Sequence, residues 1–417
     1  MRNSTTTKGL VWRASILFIN FFLIILAYYH IKPASRSLFL EHLGADSLPY
    51  VWIGTAVFLG LVISYYHQLL EKWSRLNLVL GTLALFMALL LFFHHLLEQQ
   101  GKVTAILFYI FVDIFSVVLV EQFWSLTNSI YRVTDGKKWY GIVGTGGLLG
   151  GVFGGKMAKM WIDKGGFETS DLLLVAVAIL AILVLLNLVF ARIGVYEENT
   201  EKAKVTTSFH DGWKTLAKSR YLILIATILL LSQIASPLVE YMFMSMVQEN
   251  FTELNQRTSF LSGFFANLGL ISIGVNLLIT PLVHKHLGII AGLTLQPFFL
   301  LISSWSFYLH PGVLTAEIMK ISDRGLAYSI NRASRELLYI PISPVQMYQA
   351  KAWIDMFGYR LFKVAGSLLI LLLTQWLPFS ISAVDLSWLT MFFCLLWLAA
   401  ISILAREYRV VTQEMPG

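Results

Sequence analysis

The chain has 417 residues, of which 57% are hydrophobic and only 13% are Asp, Glu, Lys or Arg, and its mean hydropathy is +0.70. Soluble domains carry about 25% charged residues, so the composition excludes a soluble globular protein and points to a bilayer. The net charge of +7 is carried by basic residues in short loops between apolar runs, which is explained by membrane topology rather than by nucleic-acid binding.

Apolar runs fall at 14–40, 49–70, 77–97, 103–130, 139–160, 171–193, 221–248, 258–283, 287–309, 311–335, 361–378 and 384–405. At ~20 residues per span they predict an all-α integral membrane protein with twelve transmembrane helices. The polar stretch between Arg192 and Arg220 divides them into six and six. The expected domains are therefore an N-terminal half over 1–193, a cytoplasmic linker over 194–220 and a C-terminal half over 221–417. Two pseudo-symmetric halves are the organisation of many carriers.

The first run closes on Lys32 and Arg36. The fourth carries Asp113 and Glu121, which are eight residues apart and lie close to one face of a helix. The seventh carries Glu240, and the tenth carries Glu317, Lys320, Asp323 and Arg324. A charge in hydrocarbon costs about 2.5–3.5 kcal/mol even on lenient insertion scales, and a water-filled substrate path is a common reason to keep one. First, fourth, seventh and tenth are positions that repeat with period three across two related halves, and such helices are expected to line a carrier's cavity. Asp113, Glu121 and Glu240 are the candidates for coupling. Glu317 and Lys320, three apart, read as a local structural pair, whereas Glu121 and Glu240 must find partners on other helices.

The fifth run contains GIVGTGGLLGGVFGGKMAK. Gly150–Lys156 fits the GxxxxGK of a phosphate-binding loop, but Met157 stands where Ser or Thr would ligand magnesium, so the match is false. The ladders Gly147/Gly151/Gly155 and Gly146/Gly150/Gly154 instead predict close helix packing, with the eighth run and its Gly263, Gly269 and Gly274 as the partner. Lys156 and Lys159 at the end of this run read as snorkelling to the interface.

Basic residues cluster in the even-numbered connections and at both ends of the chain. The positive-inside rule then places both termini in the cytoplasm. No cleavable leader is expected, since the first run flows into a charged helix end. The single Cys394 excludes an intrachain disulfide. No catalytic or metal-ligating constellation stands out, so neither an enzyme, a metal site nor a cofactor is expected.

Four segments resemble the ATP/ADP translocase (nucleotide transporter) family: HIKPASRSLFLEHLGADSLPYVW, EQFWSLTNSIYRVTDGKKWYGIVG, SPLVEYMF and YSINRASRELLYIPISPVQMYQAKAWIDMFGYRLFKVAGS. The resemblance spans both halves in patches. It implies a major facilitator superfamily-like fold and exchange of nucleotides. It also implies roles for Lys32, Glu121, Glu240 and Lys363; on spacing alone Lys363 would be an interfacial anchor. Met244 stands where the family usually has a lysine after its glutamate, and Pro344–Gln346 lacks another. Fewer cations weaken the case for a triphosphate.

The expected protein is a monomeric alternating-access transporter in a bacterial inner membrane. It moves an anionic small molecule, a nucleotide or other phosphorylated metabolite, through a site of Lys32, Arg36, Glu121, Glu240 and Lys363. Trp124, Tyr131 and Tyr328 are stacking candidates for a base, although aromatics at helix ends are commonly interfacial. Two alternatives stay open: a proton-coupled carrier or flippase of another solute, and a membrane partner protein that transports nothing.

Overall fold

The computed structural model describes residues 7–97, 101–130, 133–196, 209–354, 358–378 and 381–413. All regular elements among them are helical. They run α1 (Thr7–Leu43), α2 (Leu48–Lys72), α3 (Arg75–Leu97), α4 (Lys102–Ile130), α5 (Val133–Gly165), α6 (Asp171–Arg192), α7 (Phe209–Ala217), α8 (Arg220–Asn250), α9 (Leu254–Gly274), α10 (Thr280–His286), α11 (Gly288–Leu309), α12 (Val313–Lys320), α13 (Arg332–Leu338), α14 (Pro344–Trp353), α15 (Tyr359–Leu371) and α16 (Leu386–Gln413). Widened π-helical turns occupy Val275–Ile279, Ile321–Gly325, Ala327–Asn331 and Leu372–Trp376.

Nine helices among the described residues are long and apolar enough to cross a membrane. Three of the twelve runs read from the sequence are not among them, and each has a local reason. The fifth is diluted by glycine, the tenth is charged and interrupted by two π-turns, and the eleventh begins on Arg360 and Lys363 and ends on Thr374 and Gln375. Irregular backbone at membrane depth is tolerated where protein or water meets its polar groups.

The chain divides into two compact units. The first comprises Met1–Gly44, Gly54–Lys202 and Phe251–Gly269; the second comprises Ala45–Ile53, Ala203–Asn250 and Leu270–Gly417. In the first unit α1 packs on α4, α5 and α6. Its core holds Leu17, Ile31, Phe108, Val112, Phe115 and Leu180 at or near zero exposure. Fully burying an aliphatic or aromatic side chain of this size contributes about 1.5–3 kcal/mol where water is the alternative. Between helices already in lipid, association rests instead on packing and polar contacts.

The glycine ladders are where that packing is closest. A Cβ on Gly146, Gly150 or Gly154 would stand 2.5, 2.3 and 2.8 Å from the carbonyl oxygens of Phe18, Phe22 and Leu26. This ladder therefore lets the α5 backbone lie directly on α1, not on the eighth run. The second ladder reaches α9 through Gly155, at Ser262 and Ala266, and Gly263 and Gly269 of the eighth run lie against Lys159 and Val152 of α5, while Gly147 and Gly151 accommodate the Phe21 and Tyr29 rings. Small-residue spacing identified the contact face correctly, but it does not encode which helix covers it.

Lys159 does more than snorkel. Its ammonium lies 2.8 Å from Asp163 and donates to Ser259 Oγ at 3.0 Å, and Ser259 in turn donates to Asp163. Asp163 lies past the apolar run of α5. Burial alone would raise its carboxyl, but the bonds from Lys159 and Ser259 and the nearby lysine charges outweigh this and hold it below the ordinary value.

In the second unit α8 packs against α12, α15 and α16, and α11 against α16. Its core includes Leu222, Ile225, Leu293, Leu338, Ile401 and Leu404. The short α7 and α14 are tied together by Thr215 donating to Gln349 and by the Trp213 and Trp353 rings, 5.5 Å apart.

Candidate functional site

In each unit one charge-bearing helix carries a proline beside the charges. Pro33 lies between Lys32 and Arg36 in α1, and Pro237 precedes Glu240 in α8. A proline inside a helix removes one intrahelical hydrogen bond and bends the chain, which loosens the backbone where polar side chains must converge.

In the first unit Arg36 pairs with Asp113 of α4. Its guanidinium also lies 4.0 Å from the centre of the Tyr109 ring and donates to Ser35 Oγ at 2.9 Å. Both partners are largely withdrawn from solvent, with side-chain exposures of 8% and 15%. A buried ion pair of this kind holds its position strongly, because removing either member strands the other.

Lys32, one turn earlier, sits among aromatic faces. Its ammonium is 4.0 Å from the Phe265 centroid, 5.3 Å from Tyr29 and 5.6 Å from Tyr28. Such faces attract a cation electrostatically, and they hold the Lys32 ammonium at this level of α1. Glu121 is exposed on α4, in the field of Tyr66. No ion pair to Glu121 is formed among the described residues. The structure thus brings Arg36 and Asp113 together but leaves Glu121 apart from them.

The second unit holds a denser cluster. Glu240 of α8 meets the ammonium of Lys320 at the end of α12, and Lys320 also lies 3.5 Å from Asp323. Asp323 accepts from Ser236 Oγ at 2.7 Å and lies 3.4 Å from the Arg324 guanidinium. Gln296 of α11 donates to the Asp323 carbonyl at 2.9 Å and accepts from Asn331. Lys320 and Asp323 are essentially fully buried, while Glu240 keeps 21% exposure.

One expectation changes here. Lys320 pairs with Glu240 and Asp323 rather than with Glu317, because two carboxylates converge on its ammonium from α8 and from the following π-turn. Glu240 meets a cation on another helix, Lys320. Lys320 was visible in the sequence as an intramembrane charge, and its three-residue spacing from Glu317 disguised its role. Lys363 is partly buried on α15, one turn after Tyr359.

The stacking candidates separate as well. Trp124 packs on Phe21, Phe123 and Tyr140 within 6 Å and is part of an aromatic cluster in the first unit. Tyr131 lies outside the described residues. Tyr328 is exposed, with its ring 5.9 Å from Arg324.

A family model described as TLC ATP/ADP transporter matches residues 93–318 and 309–408. ADP,ATP carrier protein 1 of Chlamydia trachomatis serovar D is 23% identical, with 90% of this chain and 86% of the relative covered. ADP,ATP carrier protein 4 of Rickettsia felis is also 23% identical, with 89% and 80% covered. Among solved structures, the nucleoside transporter NupG superposes with a TM-score of 0.61 at 17% identity, covering 96% of this chain and 99% of that one. A bacterial homolog of the human lysosomal transporter Spinster gives 0.59 at 12% identity, covering 97% and 99%. At such identities the structural likeness speaks for the fold alone, which this chain shares with those two proteins. The family match covers well over half of the sequence: the chain belongs to the TLC ATP/ADP transporter family and is a membrane transporter, not an enzyme.

Proposed function

We propose that this protein exchanges nucleotides or closely related phosphorylated anions across a bacterial inner membrane by alternating access. In this reading it has twelve spans and both termini in the cytoplasm. The observation that carries the proposal is the buried Lys320, held by Glu240 and Asp323 in the second unit of a chain from this family. The relatives' names as ADP,ATP carriers supply the substrate class.

The chemistry follows from the burial. Unit charges about 4 Å apart interact by about 4 kcal/mol at an effective dielectric of 20. A phosphate that displaces Glu240 from Lys320 therefore replaces one favourable contact by another of similar strength, and the exchange is close to balanced. Glu240 is the accessible member of the cluster and the one that yields. Asp323 stays anchored by Ser236 and Arg324. Lys32, Arg36, Glu121 and Lys363 complete the set of charged groups available to substrate. A ligand shifts a transporter between states only by as much as its affinity differs between them, and a rearranged ion pair is a source of such a difference.

The missing lysines at Met244 and near Pro344–Gln346 favour a less charged member of the class, a mono- or diphosphate, over a triphosphate. The test is uptake of radiolabelled ADP and ATP into proteoliposomes holding the purified protein. Uptake that requires internal ADP and ignores a protonophore supports exchange. Uptake into empty vesicles that collapses with the protonophore supports the proton-coupled reading instead. No uptake of any phosphorylated compound overturns the proposal.

A further inference from the structure

In the exchange just described Arg324 only anchors Asp323. It begins a small cluster on the open side of the buried charges. Its guanidinium lies 3.4 Å from Asp323, 5.9 Å from the centre of the Tyr328 ring and within hydrogen-bonding range of the Tyr359 hydroxyl. Lys363 follows Tyr359 by one helical turn on α15 and acts on the same hydroxyl electrostatically. Tyr328 lies in the combined field of Arg324, Tyr359, Asp323 and Glu240, so it faces the charge cluster.

Exposure separates these groups from the buried pair. Tyr328 presents 56% and Tyr359 39% of their surface, against 1% for the Lys320 side chain. A salt bridge that only holds helices together has no need of open aromatic walls.

The Tyr359 hydroxyl lies in the field of Arg324 and Lys363, with Asp323 opposing them. An oxygen that faces the guanidinium leaves its own proton to donate to an anion. Hydrogen bonds in a chain strengthen one another, so an O–H backed by a guanidinium is a strong donor to an anion. Arg324 spends one edge on Asp323 and keeps further N–H donors in its planar fork, a geometry suited to phosphate oxygens.

We propose that Arg324 and Tyr359 join Lys363 in a phosphate subsite of the second unit, with the Tyr328 ring as its wall. This rests on the reading of the substrate as a phosphorylated anion and assigns the groups that hold its phosphate. Lys320 and Glu240 then act as the exchangeable pair beside it, and Asp323 orients Arg324 as a positioning residue.

The experiment is equilibrium binding of ADP and of pyrophosphate to purified protein in nanodiscs, with melting temperature recorded for each variant. Arg324→Gln is expected to weaken both ligands about 10- to 100-fold, the effect of losing hydrogen bonds to a charged group. Tyr359→Phe removes one hydroxyl only, and several-fold weaker binding at an unchanged melting temperature is expected. If Arg324 merely neutralises Asp323, the double variant Asp323→Asn/Arg324→Gln restores wild-type binding, and the subsite is overturned. Wild-type affinity in Tyr359→Phe and Arg324→Gln overturns it equally. If the wild type binds neither ligand, the phosphorylated-anion reading falls and the subsite falls with it. If the wild type binds and the variants bind as well, only the subsite is lost. Where Arg324→Gln does not fold, Tyr359→Phe decides alone.

Discussion

The ammonium of Lys320 rests against the carboxylate of Glu240, which reaches it from a different helix, with Asp323 as its second counter-ion. The two carboxylates are unequal. Asp323 is buried and bonded to Ser236, whereas Glu240 remains partly open. The pair is thus fixed on one side and replaceable on the other.

That inequality predicts an order of stabilities. Lys320→Met removes the cation that two carboxylates share and is expected to destabilise by about 3–5 kcal/mol, the usual effect of breaking a buried ion pair. Glu240→Gln leaves Asp323 facing the ammonium and is expected to cost clearly less. Denaturant titration in mixed micelles measures both, and a reversed order would refute the asymmetry.

Asp113→Asn is expected to destabilise the first unit on the same scale, about 3–5 kcal/mol, since it leaves the Arg36 guanidinium buried without its carboxylate. Arg36→Lys should not pass as conservative, because lysine lacks the planar face that lies over Tyr109. The unfolding midpoints of both variants, compared with wild type, provide the check.

Lys32 and Phe265 are expected to be energetically coupled. A desolvated cation over an aromatic face contributes about 1–2 kcal/mol, so a double-mutant cycle of Lys32→Met and Phe265→Leu should return a coupling of that order. A coupling indistinguishable from zero would show that the rings do not hold the lysine.

The α5 ladder predicts a sharp contrast between neighbouring glycines. Gly150→Ala drives a methyl onto the Phe22 carbonyl and is expected to cost about 1–3 kcal/mol as overpacking. A Cβ at Gly144 meets nothing within 4 Å. Gly144→Ala should leave stability unchanged or raise it slightly, since alanine is the better helix former. Parallel thermal melts of the two variants test the assignment of the close face.

Acid should loosen the contact of Asp163 with Lys159 and Ser259. The folded carboxyl titrates below its ordinary value of 3.8, so its contribution is fully present above that value and is lost as pH falls through the folded one. The melting difference between wild type and Asp163→Asn should therefore be constant at neutral pH and shrink in acid below the ordinary value. A difference that grows in acid would reverse the sign and defeat the assignment.

Much of this was legible in the sequence, and what was not has a physical cause. Apolar run length located the helices, and the expense of charge in hydrocarbon singled out Arg36, Asp113 and Glu240, which the structure places in or beside buried pairs. Partner choice was hidden. The Lys320–Glu240 contact joins residues remote in sequence, while Glu317 offered a nearer spacing on the same regular helix, and spacing cannot rank it against a carboxylate from another helix. The Gly146/Gly150/Gly154 ladder announced a close approach without naming α1. Hydropathy likewise cannot anticipate Arg324 with Tyr359, because two tyrosines near a helix end resemble an interfacial belt until their distance from a guanidinium is known.

The two consecutive π-turns after α12 make residue number act as an angle. A π-turn accommodates one residue more than an α-turn, and each residue of a helix advances it by about 100°. Two such turns offset the register of everything beyond Asn331 by roughly 200° relative to an unbroken helix. Deleting one residue within either π-turn would restore an α-turn there and leave Arg332–Leu338 facing as before, whereas the same deletion in the regular helix of α12 would turn everything after it by about 100°. In this stretch of the carrier, the wide turns let the length change without a rotation.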